Sequence, residues 1–243
     1  MSDTRSALVT GANKGIGYEI AAGLGALGYT VGVGARDETR RADAVARLRN
    51  AGVDAFGVPL DVTDDRSVTA AAALVEERVG RLDALVNNAG ITGGAAQQPT
   101  TADLDVLRTV VETNVLGVIR VTNAMLPLLR RSPSPRIVNV SSGVGSLTRQ
   151  SGSVGKDTAG PVAVAYSPSK TFLNAVMLQY VRELDGTNIL INAACPGYVA
   201  TDLNGFRGVR TPQQGAATPI RLATLPDGGP TGGFFEDAGS VPW

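Results

Sequence analysis

Tyr166 and Lys170 are four residues apart in the segment Tyr166-Ser-Pro-Ser-Lys170. On a helix, residues with this spacing lie on one face, so a phenol and an ammonium would share a small volume. A neighbouring cation favours the phenolate and lowers a tyrosine pKa that is otherwise about 10. Such a pair can exchange a proton with a carbonyl or alcohol oxygen. The same spacing also occurs on many surface helices, so its meaning depends on the elements around it.

A glycine-rich segment lies near the start of the chain. The apolar run at 6–10 leads into Thr10-Gly-Ala-Asn-Lys-Gly-Ile-Gly17, after which apolar residues recur at helical spacing. This pattern predicts a strand, a turn and a helix. Glycines in such a turn allow close approach of a pyrophosphate, which the start of the helix attracts. The spacing differs from the commonest G-x-G-x-x-G, and such turns also serve packing, but the position in the first β-α unit favours a cofactor site.

The second predicted strand, 30–35, ends in Arg36. NAD-preferring folds hold the ribose 2′-hydroxyl with a carboxylate at the last position of this strand, and none stands there. Arg36 and Lys14 can instead pair with a 2′-phosphate, which favours NADP(H). Two alternatives remain, because Arg36 also fits the start of a surface helix and the adjacent Asp37 can reach a hydroxyl.

Strands and helices alternate along the rest of the chain. Further strands are predicted at 53–60, 82–86, 135–140, 188–194 and 233–236. Helices are predicted at 37–50, from a cap at 61–64 to 79, at 103–130, from 166 onwards and at 212–225. The sequence therefore predicts a single α/β domain over 1–243, a Rossmann-type, doubly wound, mainly parallel sheet of about seven strands with helices on both faces.

Polar residues follow several of these strands, at the edge where open parallel sheets bind ligands. Asp61 either ends its strand or holds an adenine amino group, and Asn87-Asn-Ala-Gly90 suits a turn beside a cofactor. Ser142 either caps a strand or donates to a substrate oxygen. Asn114, on the apolar side of a predicted helix, is either a satisfied core amide or holds a chain of waters. The Thr201 hydroxyl can contact a cofactor carboxamide.

The composition excludes several classes of function. The chain has 22 basic and 22 acidic residues without a long run of either sign, so neither a nucleic acid nor a membrane is an expected partner. It has no histidine, so no metal site or histidine-based triad is expected. The single Cys195 excludes an intrachain disulfide and, without a predicted signal peptide, indicates the cytoplasm. Cys195 is either a buried core residue, which is favoured, or a thiol that lines a pocket.

Together, these motifs resemble the short-chain dehydrogenase/reductase family over essentially the whole chain. They are the glycine segment that ends at Gly17, Asn87-Asn-Ala-Gly90, Asn114, Ser142, the Tyr166/Lys170 pair and Pro196-Gly197. Within that family, this chain resembles the carbonyl reductase branch in three segments, namely Asn13-Lys-Gly-Ile-Gly17, Ala35-Arg36 and Asn192-Ala-Ala-Cys-Pro-Gly197. That branch reduces ketones, aldehydes and quinones with NADPH.

The resemblance implies a role for each catalytic candidate. Tyr166 would be the general acid, Lys170 would lower its pKa and bind the nicotinamide ribose, Ser142 would hold the substrate oxygen, and Asn114 would keep a proton-relay water. The implied cofactor-binding residues are Gly11, Asn13, Lys14, Gly15, Ile16, Gly17, Arg36, Asp61, Val62, Asn87, Ala89, Gly90, Tyr166, Lys170, Pro196, Gly197, Val199 and Thr201. The implied substrate pocket comprises Ile91, Ser142, Gly143, Val144 and Tyr198, with loops at about 91–99, 143–164 and 198–225.

The predicted function is NADPH-dependent reduction of a small-molecule carbonyl compound. The alternatives are a 3-oxoacyl or polyketide ketoreductase, an alcohol dehydrogenase of the same family, and a regulator that binds NADP(H) without turnover. The complete catalytic set disfavours the regulator. The segment between Ser142 and Tyr166 is longer than in tetrameric family members and precedes the helix through which others dimerise, which favours a monomer over a dimer.

Overall fold

A computed structural model of the chain describes residues 4–94, 98–152 and 162–243. Parts of two predicted substrate loops, 95–97 and 153–161, lie outside the described residues. The described strands are β1 (Ser6–Thr10), β2 (Thr30–Ala35), β3 (Ala55–Pro59), β4 (Ala84–Asn87), β5 (Arg136–Val140), β6 (Leu190–Ala194), β7 (Phe234–Glu236) and β8 (Gly239–Ser240).

The strands form one sheet in the order β3-β2-β1-β4-β5-β6-β7-β8. Neighbouring strands are parallel except for β7 and β8. The predicted fold class is confirmed, and the predicted count of about seven strands is one short of the eight in the described residues. The missed strand, β8, has only two residues and so shows no periodicity in the sequence.

Helices cover both faces of the sheet. They are α1 (Gly15–Ala26), α2 (Glu38–Asn50), α3 (Asp65–Val79), α4 (Leu104–Val111), α5 (Gly117–Leu129), α6 (Leu147–Gln150), α7 (Tyr166–Glu183) and α8 (Pro212–Ala223). Alternate residues of each strand face opposite layers, so Val9 packs in a core with α1, α2 and α8, whereas Leu8 packs in one with α3, α5 and α7. No helix in the described ranges is long and apolar enough to cross a membrane.

The predicted helix over 103–130 is confirmed as one helical run from Leu104 to Leu129, but this run is not α-helical throughout. Between α4 and α5 the backbone makes a π-helical turn, Glu112–Leu116, that includes the fully buried Asn114. A π turn inserts one residue into a helix and changes the direction of the side chains around it. The turn therefore allows Asn114 to face the carboxyl edge of the sheet.

At the opposite, amino edge of the sheet, a buried carboxylate joins separate elements. Asp83 is 3% exposed. It accepts hydrogen bonds from the backbone N–H of Ser6 at 2.8 Å and from Ser132 Oγ at 2.6 Å, and it pairs with Arg81 at 3.2 Å. Since Ser6 begins β1 and Ser132 follows α5, this one side chain fixes three segments that lie far from the carboxyl edge.

We expect Asp83→Ala to lower the free energy of unfolding by about 3 kcal/mol, because it leaves a buried N–H and a hydroxyl without an acceptor. Denaturant unfolding measures this change. Glu76→Ala removes a comparably short ion pair with Arg131 on the surface and is expected to cost about 1 kcal/mol or less. Equal losses in the two variants would contradict the role assigned to Asp83.

Candidate active site

The turn between β1 and α1 is fixed by the segment that follows β4. Thr10 Oγ1 accepts hydrogen bonds from the backbone N–H groups of Asn88 and Ala89, each at 2.9 Å. Asn88 Nδ2 donates to the Thr10 carbonyl at 2.9 Å. A Cβ at Gly17 would lie only 2.4 Å from Asn88 Nδ2 and 2.5 Å from the Gly11 carbonyl oxygen. The close packing of these two segments therefore requires glycine at position 17.

This turn fits a pyrophosphate. Gly11 and Gly15 have φ values of +64° and +56°, the left-handed region that favours glycine. The N-cap of α1, Lys14, makes no side-chain cap, and the first turn of the helix contains no acidic residue. The first N–H groups of α1 and its dipole are therefore available to an anion.

A first cleft of about 730 Å³ opens above this turn. Most predicted cofactor residues line it, namely Gly11, Asn13, Lys14, Gly15, Ile16, Gly17, Arg36, Asp61, Val62, Ala89, Gly90 and Thr201. Ile91, predicted for the substrate pocket, lines this cleft as well. Pro196 and Val199 are not among the residues that line it.

Asn87 lies at the buried end of β4 instead of in the cleft. It is 2% exposed, and its Nδ2 donates to Thr122 Oγ1 at 3.1 Å and to Asn139 Oδ1 at 2.9 Å. The next residue, Asn88, lines the first cleft in its place. Asn87 therefore supports the sheet, and any cofactor contact it makes involves its main chain.

Both cations predicted for a 2′-phosphate line the first cleft, and each is near a carboxylate. Lys14 Nζ is 2.6 Å from Asp202 Oδ2, and Arg36 Nη1 is 3.8 Å from Asp61 Oδ2. Burial disfavours the charged form of Asp61, but hydrogen bonds from Thr63 and the Arg36 charge outweigh it and lower the Asp61 pKa. The side chains of Lys14 and Arg36 are 49% and 70% exposed, so both can change partners.

The tyrosine and the lysine meet at the start of α7. The Ser142 side chain interacts with the Tyr166 phenol and lowers its pKa, against the larger effect of burial. Lys170 is 4% exposed, and its Nζ donates to the Val140 carbonyl at 2.8 Å and lies 5.7 Å from the centre of the Tyr166 ring. Since Val140 ends β5, the lysine links α7 to the carboxyl edge of the sheet.

Burial shifts the pKa values of both members of the pair. It raises the pKa of Tyr166 to about 12, although the Ser142 side chain opposes the rise. Burial also lowers the pKa of Lys170 to about 8. Desolvation dominates the phenol in the protein alone, and Lys170, whose ammonium binds the Val140 carbonyl, is not among the causes of the shift. That Lys170 lowers the tyrosine pKa stays a prediction.

Asn114 ties the loop after β4 to the first turn of α7. Its Oδ1 accepts from the Ile91 N–H, and its Nδ2 donates to the Ile91 carbonyl, both at 2.9 Å. Nδ2 also donates to Ser169 Oγ at 3.0 Å, and this hydroxyl donates to the Tyr166 carbonyl at 2.6 Å. The interpretation as a satisfied core amide is confirmed, whereas the proton-relay role stays a prediction.

Small residues surround the lysine. A Cβ at Gly90 would lie 3.6 Å from Lys170 Nζ, and one at Gly145 would lie 2.9 Å from the Lys170 carbonyl carbon. Gly90 lines the first cleft, so the ammonium lies just behind the wall of that cleft. On its other side, Tyr166 reaches Ser142, which lines a second cleft. The reactive pair thus lies between the two clefts.

The second cleft has a volume of about 1080 Å³ and continues the carboxyl edge beyond β5. The predicted Ser142, Gly143, Val144, Gly197 and Tyr198 line it. Cys195 also borders it but is only 5% exposed, so the favoured prediction of burial is confirmed. Burial raises the pKa of its thiol. Among the described residues, no group of three Cys, Asp or Glu side chains can hold a metal ion.

Sequence reasoning missed four residues of this region. Asn88 and Ser169 stand beside or within motifs that were recognised, so their positions were the available signal. Arg149 and Glu236 form an ion pair in the second cleft, and their separation of 87 residues left no local pattern.

A doubly wound parallel sheet with a glycine-rich turn and an uncapped helix start at its carboxyl edge defines a dinucleotide-binding α/β protein. Residues 5–209 match the family model described as short chain dehydrogenase. The chain belongs to that family of oxidoreductases.

Its relatives cover nearly all of the chain. Short-chain dehydrogenase/reductase 1 of Saponaria officinalis is 34% identical over an alignment of 288 positions. The alignment covers 97% of this chain and 95% of that protein. Carbonyl reductase (NADPH) 1 of Rattus norvegicus is 35% identical over 280 residues, with coverage of 100% and 99%. The solved structure of NADPH-bound carbonyl reductase from chicken fatty liver has a TM-score of 0.87, 31% identity and 99% coverage of both chains.

Proposed function

We propose that the protein reduces the carbonyl group of a ketone, an aldehyde or a quinone to an alcohol with NADPH, and that Tyr166 donates the proton. The observation that carries this proposal is the placement of Tyr166 and the buried Lys170 at the start of α7, beside the Ser142 wall of the second cleft and behind the Gly90 wall of the first. The names of the rat and chicken relatives, both NADPH-linked carbonyl reductases, support it.

The first cleft suits this cofactor. The glycine turn and the start of α1 would hold the pyrophosphate, Lys14 and Arg36 the 2′-phosphate, and Asp61 the adenine. Lys170 would bind the nicotinamide ribose and Thr201 the carboxamide. When bound, NADPH supplies the hydride that the carbonyl carbon receives.

The protonation state of Tyr166 suits a proton donor. With a pKa of about 12, Tyr166 keeps its proton at neutral pH, which is the state a proton donor needs. The Ser142 hydroxyl would donate to the same substrate oxygen as negative charge develops on it. The Lys170 ammonium would stabilise the phenolate that remains on Tyr166.

The cytoplasmic location and the monomeric state stay predictions. The single cysteine supports the first, and the position of the segment before α7 supports the second.

Tyr166→Phe removes the donated proton but keeps the ring, so we expect kcat to fall by about 1000-fold while the Kd for NADPH changes by less than about threefold. Ketone-dependent NADPH oxidation and fluorescence titration measure these two quantities. The control, Tyr180→Phe, makes the same change on the same helix. The Tyr180 hydroxyl donates to Asn123 Oδ1 at 2.7 Å, and Tyr180 lines neither cleft. Turnover by Tyr166→Phe comparable with that of the control would exclude the assigned role.

The pH dependence should report Lys170. Because its pKa is about 8, we expect kcat/KM for reduction to fall as the pH rises through this value and the ammonium is lost. Tyr166 stays protonated over the same range because its pKa is about 12. A pH profile from 6 to about 10 measures the inflection, and Lys170→Met should be slower and lack it. An unchanged inflection in Lys170→Met would assign it to another group.

The double variant Lys14→Ala/Arg36→Ala tests the cofactor preference. We expect its Kd for NADPH to rise by about 100-fold, because each charge-assisted contact with a phosphate increases the binding affinity roughly tenfold. The Kd for NADH, which lacks the 2′-phosphate, should change by less than about threefold. Calorimetric titration with the two cofactors measures both values, and equal losses would show that the cations act on a shared part of the dinucleotide.

A further inference from the structure

Two opposite charges line a cleft that is otherwise largely apolar. Among the described residues, Arg149 and Glu236 are the charged side chains that line the second cleft. The rest of its wall includes Val144, Leu147 and Phe172. Several hydroxyl and amide side chains also line it, so a substrate that fills this cleft meets apolar surface, neutral polar groups and one ion pair.

The two charges form a bidentate pair. Arg149 Nη1 is 3.0 Å from Glu236 Oε2, and Arg149 Nη2 is 2.8 Å from Glu236 Oε1. The two side chains are 23% and 27% exposed, so each is partly removed from water and partly open to the cleft. A fork-to-fork pair of this kind is stronger and more strictly oriented than a single-contact ion pair.

The pair lies next to the reactive hydroxyls. Gly143 directly follows Ser142, and a Cβ at Gly143 would lie 3.1 Å from Arg149 Nη1 and 3.6 Å from Cys195 Sγ. A molecule whose carbonyl oxygen contacts Ser142 can therefore reach this guanidinium with another part of its structure.

Both partners are held on anchored backbone. The Arg149 N–H donates to Ser146 Oγ at 3.1 Å, and the Thr148 N–H donates to the Trp243 carbonyl at 2.8 Å. Glu236 is the last residue of β7, which pairs with β6. A recognition group that is positioned before binding loses little entropy on contact with a ligand.

We infer that the Arg149–Glu236 pair recognises a hydroxyl group on an uncharged ketone, an inference that rests on the proposed reductase function. A hydroxyl can donate to the carboxylate, which has lone pairs beyond the two that Arg149 uses, and can accept from the guanidinium. A substrate with a net charge gains less, because the opposite charge within the pair offsets its attraction. The substrate class is therefore an uncharged hydroxyketone.

The test compares 1-decalone with its ring-hydroxylated isomers. We expect at least one isomer to have a kcat/KM about tenfold above that of 1-decalone, through a lower KM. In Arg149→Met/Glu236→Met, which removes both charges and leaves neither unpaired, this ratio should fall to about one. If the double variant does not fold, Glu236→Gln replaces it in the test. This variant keeps the size of the side chain and should also lower the ratio.

The matched control is Arg131→Met/Glu76→Met, which removes an ion pair of 2.7 Å that lines neither cleft and should keep the wild-type ratio. A wild-type ratio of one, or equal losses for both ketones together with a lower Tm in the cleft variants, would overturn the inference and leave the pair as a structural brace. If the wild type reduces neither ketone, calorimetric binding of the same ketones decides the inference, and equal affinities overturn it. The proposed function itself fails only if the wild type also reduces no aldehyde or quinone with NADPH.

Discussion

The burial of the Lys170 ammonium is the constraint on which the rest of the site depends. Taking a charged group out of water costs several kcal/mol unless the protein supplies hydrogen bonds, and here the Val140 carbonyl supplies one. That bond fixes α7 against the end of β5, so Tyr166, four residues earlier, reaches Ser142. The position of the proton donor therefore follows from where one cation can be accommodated.

The sheet order explains why two clefts meet at this pair. The chain builds β1 to β3 in one direction and β4 to β8 in the other, which places a crevice at the carboxyl ends of β1 and β4. Segments after β1, β2, β3 and β4 line the first cleft, together with Thr201 and its neighbours after β6. Segments after β5 and β6 supply much of the second, with Glu236 at the end of β7. The two clefts thus share the carboxyl edge of one sheet, and α7 begins where they meet.

Local patterns were enough to predict much of this arrangement. The bounds of β1 and β2 agree with the structure, because glycine and an end of the apolar run mark them. Asn88 lines the first cleft and Asn87 does not, because β4 continues one residue beyond its predicted end at 86 and includes Asn87. Successive residues of a strand face opposite sides. The π turn escaped prediction because the partners of Asn114 are 23 and 55 residues away. The raised Tyr166 pKa depends on desolvation, which only packing determines.

The glycines beside Lys170 have a consequence for how this protein can diverge. Gly90 and Gly145 do not have the positive φ that requires glycine elsewhere in the chain, so the demand on them is for space alone. Drift at Gly145 is limited by the backbone of α7 at Lys170, and drift at Gly90 by the Asn114 side chain, whatever compound the protein acts on. The exposed Leu147 and Tyr198 carry no such limit. Specificity can therefore evolve at the outer wall of the second cleft while the proton-transfer machinery is preserved.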